Sequence, residues 1–252
     1  MRAHPRVRPQ PRPEVPRPCC APETGANFGR ELLAVAAAAR TATGAPAGSQ
    51  RGRTLRVVSA QFVAAVTRAG EVPAGPPEVA FVGRSNVGKS SLINALCNQT
   101  ALARTSKTPG RTQAVVLFDA QLSSGQALRL VDLPGFGHAA VSKTMLAAFS
   151  EMIQFYLLAA EGLKLVVILQ DCRRDRDDDA IGFAGWLRDN RVPYEVVATK
   201  ADAVPATRRG AVCQRLQAEF RLKRLPLAVS ARDRAGVDEL LVRVRNAAFP
   251  KP

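Results

Sequence analysis

Eight consecutive residues, Gly83-Arg84-Ser85-Asn86-Val87-Gly88-Lys89-Ser90, carry the spacing G-x-x-x-x-G-K-S. This is a phosphate-binding pattern. Two glycines let the backbone wrap so that successive N–H groups converge on phosphate oxygens. The loop then opens a helix, whose unpaired N–H groups and dipole favour an anion. Lys89 is placed to reach the β- and γ-phosphates, and the Ser90 hydroxyl to bind Mg²⁺. The flanks agree with this reading. Val79-Ala80-Phe81-Val82 is a short apolar run of buried-strand type, and Ser91-Leu92-Ile93-Asn94-Ala95-Leu96 reads as a helix.

Three more stretches share that chemistry. Asp132-Leu133-Pro134-Gly135 closes a predicted strand. Taken alone it is an ordinary strand-to-turn sequence. After a phosphate loop and at a strand end, it suits a carboxylate standing behind a magnesium ion and a backbone N–H facing a γ-phosphate. Thr199-Lys200-Ala201-Asp202 is the [N/T]-K-x-D pattern that reads guanine. The Asp202 carboxylate can accept from both guanine N1–H and the 2-amino group. Adenine offers neither donor and would leave a buried carboxylate unpaired. The Lys200 stem would stack on the base, and Val229-Ser230-Ala231 is positioned to give a backbone donor to guanine O6. Between the phosphate loop and the next strand lies Thr105-Ser106-Lys107-Thr108-Pro109-Gly110-Arg111-Thr112-Gln113. A threonine in such a loop can add a hydroxyl to Mg²⁺ when the γ-phosphate is present, so that the loop orders with GTP and relaxes after hydrolysis. Thr112 is chosen over Thr108 because it directly precedes the strand.

The elements that must hold these residues alternate. Strands are predicted over 79–83, 113–121 and 127–132, the last two joined as an antiparallel hairpin by Ser123-Ser124-Gly125-Gln126. A helix follows over 143–160. Leu163 to Leu169 is a near-continuous apolar strand, of the kind buried on both faces of a parallel sheet. Further pairs are a helix over 177–190 with a strand over 194–198, and a helix over 207–220 with a strand over 225–229. A final helix starts at Val237, its stripe formed by Leu240, Leu241, Val244 and Ala248. The expected fold is α/β: a doubly wound, mostly parallel sheet with helices on both faces and one antiparallel edge hairpin, its ligand at the carboxyl ends of the strands. Residues 54–70 (Leu55, Val58, Phe62, Val63, Val66) carry helical spacing and are expected as an accessory helix. A Pro/Gly linker at 73–77 then leads to a nucleotide-binding domain over 78–249.

At 252 residues, 46% of them hydrophobic, the chain can bury one sizeable core. A formal net charge of +15 points to a polyanionic partner. Residues 1–53 hold nine arginines against three glutamates. Their first twenty residues are broken by six prolines and the segment has a single serine, which suits a disordered basic tail better than an amphipathic targeting helix. The five cysteines are odd in number and lack a C-x-x-C, so neither a disulfide frame nor a zinc site is expected, and a reducing cytoplasm fits. No apolar run reaches membrane-spanning length. The acids Asp175, Asp177, Asp178 and Asp179 lack the glycine and distal glutamate of a calcium loop and are expected to cap a helix. Basic residues gather at Arg208, Arg209, Arg215, Arg221, Lys223 and Arg224, with Arg243 and Arg245 later, as a solvated face or an RNA-phosphate surface.

In order and wording these stretches resemble the EngB family of ribosome-biogenesis GTPases. The likeness spans roughly 54–249 and rests on Pro77-Glu78-Val79-Ala80-Phe81, the phosphate loop, Ser91 to Leu96, Ala103 to Gln113, Asp132 to Gly137 and the T-K-A-D stretch. It implies a translation-factor-type G domain that binds GTP/GDP and Mg²⁺, with magnesium contacts at Ser90 and Thr112. It also implies a role in maturing the large ribosomal subunit, with that subunit or its precursor rRNA as partner and no membrane partner; a monomer is expected. The chain departs from the family in its basic tail, in Phe136 where Tyr is usual, and in Cys172-Arg173-Arg174 after Asp171. In many small GTPases a water-orienting Gln follows D-x-x-G; Phe136 stands there and cannot play that part. Slow intrinsic hydrolysis, stimulated by a partner, is therefore expected. Lys89 and Thr112 are the catalytic candidates, joined by Asn86, which sits where a related group of GTPases uses Asn to hold K⁺ against the phosphates. Arg111 could act as an arginine finger, although an RNA contact or a solvated side chain explains it better. His138 reads as a surface residue. The rival readings are a P-loop phosphotransferase and an RNA-binding protein whose GTP site is structural.

Overall fold

The computed structural model describes residues 54–67, 71–103, 114–135 and 153–251. One sheet of seven strands runs through them in the order β1-β3-β4-β2-β5-β6-β7. The strands are β1 (Val57–Val66), β2 (Glu78–Gly83), β3 (Val115–Leu122), β4 (Ala127–Asp132), β5 (Leu163–Asp171), β6 (Tyr194–Thr199) and β7 (Leu227–Ala228). Pairs β2·β4, β2·β5, β5·β6 and β6·β7 are parallel, whereas β3 pairs antiparallel with both β4 and β1.

The central strands are buried on both sides, which explains their unbroken apolar runs. Alternation along β2 sends Val79 and Phe81 to one core, and Ala80 and Val82 to the other. The first core is closed by α1 (Lys89–Leu96) and α5 (Val237–Ala248) through Leu92, Ile93, Leu240 and Val244. The second is closed by α2 (residues 153–159), α3 (Asp178–Asp189) and α4 (Ala206–Glu219) through Tyr156, Leu187 and Leu216. Asp177 caps α3, accepting from the Ala180 N–H at 3.2 Å, with Asp178 and Asp179 in the first turn. Among the described residues no cluster of three or more His, Cys, Asp or Glu is placed to hold a metal.

One expected element is corrected. Residues 57–66 form a strand and not an accessory helix, so the sheet begins well before Glu78. The apolar spacing misleads because pairing with β3 shifts register between Val57 and Ser59 and again between Phe62 and Ala64. Each irregularity interrupts the two-residue alternation and imitates a helical period. Val58 and Phe62 are 54% and 56% exposed, while Val57 and Val66 are buried. Valine-rich composition and the open edge of β3 decide for the strand. The strand expected over 225–229 is shortened to Leu227–Ala228, and only 153–159 of the helix expected over 143–160 lies within the described residues. The segment 1–53 lies outside them.

The chain passes from β2 to β4 on one side and then to β5 on the other. The crevice above β2 is therefore the switch point of the sheet, where the ends of neighbouring strands leave room for a ligand. Registers Phe81↔Asp132, Gly83↔Leu169 and Asp171↔Thr199 bring the carboxyl ends of four strands to this place.

Candidate nucleotide-binding site

The loop after β2 is shaped by close backbone approach. A Cβ on Gly83 would stand 2.8 Å from the Leu169 carbonyl and 3.0 Å from Val87 Cγ1. The Val87 N–H bonds the Arg84 carbonyl at 3.1 Å, while Asn86 (φ 63°) and Gly88 (φ 101°) take left-handed conformations that turn the chain into α1. Gly88 occupies the N-cap without a capping side chain, so the first N–H groups of α1 keep their donors for an anion. On the far side a Cβ on Gly135 would meet the Gly83 carbonyl at 2.8 Å and the Ser85 nitrogen at 3.2 Å. The D-L-P-G stretch thus runs directly against the loop, anchored by the Leu133 N–H to the Phe81 carbonyl at 3.0 Å with Leu133 and Pro134 buried.

Lys89 Nζ donates to Asp132 Oδ1, and Ser90 Oγ stands 3.5 Å from Asp132 Oδ2. Asp132 is only 6% exposed. A hydroxyl and a carboxylate side by side are hard oxygen donors, and such a pair suits Mg²⁺, which takes few protein ligands and fills its shell with phosphate and water. Arg84 lies 3.9 Å from Asp177 of the α3 cap, a partly exposed pair of small energetic weight.

The second half of the site is built on β6. Thr199 Oγ1 lies 2.8 Å from the Val87 carbonyl and 3.2 Å from that of Gln170, tying the phosphate loop to β5 and β6. Lys200 adopts φ 57°. A left-handed conformation costs a non-glycine residue about 1 kcal/mol; here it sends the stem back across the loop. Lys200 Nζ bonds the Asn86 carbonyl at 2.5 Å and Asp171 Oδ2 at 3.0 Å. Asp202 Oδ1 accepts from Ser230 Oγ at 2.8 Å, and Ser230, fully buried, also accepts from the N–H groups of Arg232 and Asp233. Ala201 is pinned by its N–H to the Val229 carbonyl at 3.0 Å. Val87, Leu92, Lys200, Asp202, Val229 and Ala231 line a cavity of about 420 Å³ here. Apolar side chains share its lining with Ser91, Thr199 and Arg232, and Asp202 brings a carboxylate to it.

Sequence reasoning missed Asp171. Its side chain is 1% exposed and receives Arg173 through the backbone N–H (3.0 Å), Nε (2.9 Å) and a terminal guanidinium nitrogen (2.8 Å), with Lys200 as the fourth donor. Burial alone would raise its pKa. The hydrogen bonds from Arg173 and Lys200 outweigh burial and hold the carboxyl below its ordinary range. The signal available was weak: an aspartate at a strand end, as at Asp132. Of the expected site residues, Gly110, Arg111, Thr112 and Gln113 lie outside the described residues, as do Phe136 and His138.

A family model described as "50S ribosome-binding GTPase" matches residues 78–200. The probable GTP-binding protein EngB of Anaeromyxobacter sp. (strain Fw109-5) is 41% identical over 201 residues, covering 77% of this chain and 93% of the relative. Its counterpart in Syntrophus aciditrophicus (strain SB) is 39% identical over 194 residues, covering 77% and 97%. The fold is similar to that of a crystal structure of a probable GTP-binding protein EngB, with TM-score 0.56 and 22% identity over 69% of this chain and all of that one. It is similar also to Aquifex aeolicus Era bound to GDP and aluminium fluoride, with TM-score 0.58 and 24% identity over 71% of this chain and 58% of that one.

Proposed function

The chain belongs to the EngB family of GTP-binding GTPases, and from that premise we propose that it is a GTP-driven switch in assembly of the large ribosomal subunit. The observation that carries the nucleotide part is the Asp202–Ser230 contact at 2.8 Å, on the rim of a cavity walled by the phosphate loop. It holds the carboxylate where guanine N1–H and the 2-amino group would meet it. The partner part is supported by the description of the matching family model and by the +15 charge.

In this reading Lys89 leaves Asp132 for the β- and γ-phosphates when nucleotide enters, since a lysine can bond phosphate as readily as carboxylate. Ser90 and Thr112 would hold Mg²⁺, with Asp132 behind them. When bound there, the ion would supply positive charge against the phosphates. The N–H groups of the loop and of Gly135 bond the phosphate oxygens, and Asp171 keeps Lys200 stacked on the base. With Phe136 in place of a water-orienting Gln, turnover is slow until the ribosomal partner completes the site. Asn86 is exposed, and its side-chain amide makes no hydrogen bond among the described residues. It is free to bind K⁺ beside the phosphates. Asn86→Gly suits the φ of 63° and removes the amide. It should abolish any advantage of K⁺ over Na⁺ in single-turnover hydrolysis while GDP still binds. The protein acts as a monomer in the cytoplasm.

The test is co-sedimentation of the full chain with large and small ribosomal subunits in GTP, GDP and no nucleotide. GTP-dependent binding to large subunits is expected. Binding that ignores the nucleotide would favour an RNA-binding protein with a structural GTP site. Transfer of the γ-phosphate to a small acceptor would favour a phosphotransferase.

A further inference from the structure

A cleft of about 480 Å³ opens at the amino end of β6, between the end of α3, the connection from α4 to β7, and α5. Arg188, Arg191, Arg221, Lys223 and Arg224 stand around it, all exposed, and none makes an ion pair or side-chain hydrogen bond among the described residues. A sixth cation, Arg243, is paired with Glu239 at 2.8 Å. Glu195 is the one carboxylate on the lining.

This charge has no internal use large enough to explain it. The ends of α3 and α4 each offer about half a negative charge, and with Glu195 that offsets fewer than half of the five unpaired cations. Three other members of the basic run are already occupied. Arg209 bonds the Val204 carbonyl, Arg215 the Arg174 carbonyl and Arg245 the Gln126 side chain. The backbone points the same way. Arg191 and Arg221, just past the two helix ends, have φ of 58° and 53°. Glycine is the inexpensive residue there. Arginine at both positions adds charge to the same cleft in spite of the strain.

The nucleotide is not the anion concerned. Tyr194 begins β6 at the cleft and Thr199 ends it at the nucleotide site. Five strand steps of about 3.3 Å separate the two ends by about 17 Å. We propose that the cleft binds the phosphodiester backbone of RNA. The proposal rests on the ribosomal reading for the source of that RNA, and on the cleft itself for the contact. Four of the five free cations are arginines, whose planar forks match phosphate oxygens in pairs. A concave, unprotruding surface suits a nucleic-acid strand and not a bilayer. Leu225, 49% exposed, offers an apolar edge for sugar faces.

The experiment compares two triple variants of the full chain that lose the same charge: Arg221→Gln/Lys223→Gln/Arg224→Gln in the cleft, and Arg56→Gln/Arg174→Gln/Lys251→Gln elsewhere. Binding of a fluorescein-labelled single-stranded 20-nucleotide RNA is measured by polarisation from 50 to 300 mM KCl. Large-subunit co-sedimentation is run in parallel. Each phosphate contact on single-stranded RNA contributes a slope of about −0.7 to log K against log salt. The cleft variant should lose about 2 from the slope and about tenfold or more in affinity at 100 mM, with GTP affinity and melting temperature retained. Arg188→Gln/Arg191→Gln, on the opposite wall, should act in the same direction. The control triple should keep the slope to within one contact. Equal slopes for both triples overturn the cleft while leaving the ribosomal reading intact if subunits still bind. A wild-type chain that binds neither RNA nor subunits in any nucleotide state overturns both.

Discussion

Replacing Asp171 with Asn keeps the shape of the side chain and removes the charge that braces Lys200. The wild-type carboxylate is 1% exposed and accepts four donors, while Lys200 is 30% exposed and also holds the Asn86 carbonyl. In the variant one acceptor oxygen becomes an NH₂ group facing cationic donors. Breaking a buried pair costs about 3–5 kcal/mol. Partial exposure of Lys200 brings that to about 2 kcal/mol at neutral pH. For a folded part of this size that is a fall in Tm of about 4–8 °C. Lys200, left with one anchor, samples other positions, so GDP and GTP should bind about fivefold more weakly. The pH dependence follows from the depressed carboxyl. Its contribution is full above the unfolded value of about 3.9 and is lost as pH falls toward the folded value, which lies lower. The stability gap between wild type and Asp171→Asn should therefore narrow by about 1 kcal/mol between pH 6 and pH 3. Urea denaturation at several pH values, with calorimetry of GDP binding at pH 7, measures each quantity. A gap that stays constant down to pH 3, or unchanged GDP affinity, would refute the assigned role of Asp171.

Four other substitutions probe separate parts of the molecule. Asp202→Asn should weaken GTP by more than about 2 kcal/mol and admit xanthine nucleotides, whose 2-oxo group requires a donor; calorimetric binding of ATP by the wild type would defeat the guanine assignment. Gly135→Ala places a Cβ 2.8 Å from the Gly83 carbonyl and should abolish GTP binding. By contrast Gly125→Ala, which meets nothing within 4 Å and bears only its φ of 83°, should cost about 1 kcal/mol and leave GTP binding alone. Tyr156→Phe removes the 2.6 Å bond to Glu78 Oε2 in a buried cluster, where Arg129 also meets Glu78 (3.4 Å) and Asp119 (2.7 Å). A loss of about 2 kcal/mol in Tm measurements, with GTP affinity untouched, is expected.

The nucleotide site was legible in the sequence because phosphate and guanine impose residue types at fixed local spacing. A loop of converging N–H groups requires Gly83 and Gly88 in line, and base reading requires Lys200 and Asp202 two residues apart on one turn. The central strands were legible for a related reason. Burial on both faces leaves only apolar residues, as over Leu163–Leu169. By itself, then, the sequence determined the family, the alternating α/β order and the strand ends at which the phosphate loop, Asp132 and Thr199 stand. Tertiary structure decided what local spacing cannot express. The apolar period of 57–66 is compatible with helix or strand, and only the open edge of β3 and two register shifts select the strand. Asp171 meets Lys200, and Tyr156 meets Glu78 across 78 positions of sequence, because neighbouring strands and a covering helix bring them together. The cleft, likewise, joins Arg188 and Arg191 to Arg221, Lys223 and Arg224 through the parallel pairing of β6 with β7, which packs two helix ends side by side. A buried charge or a cleft is defined by neighbours distant along the chain, and no window of sequence contains them.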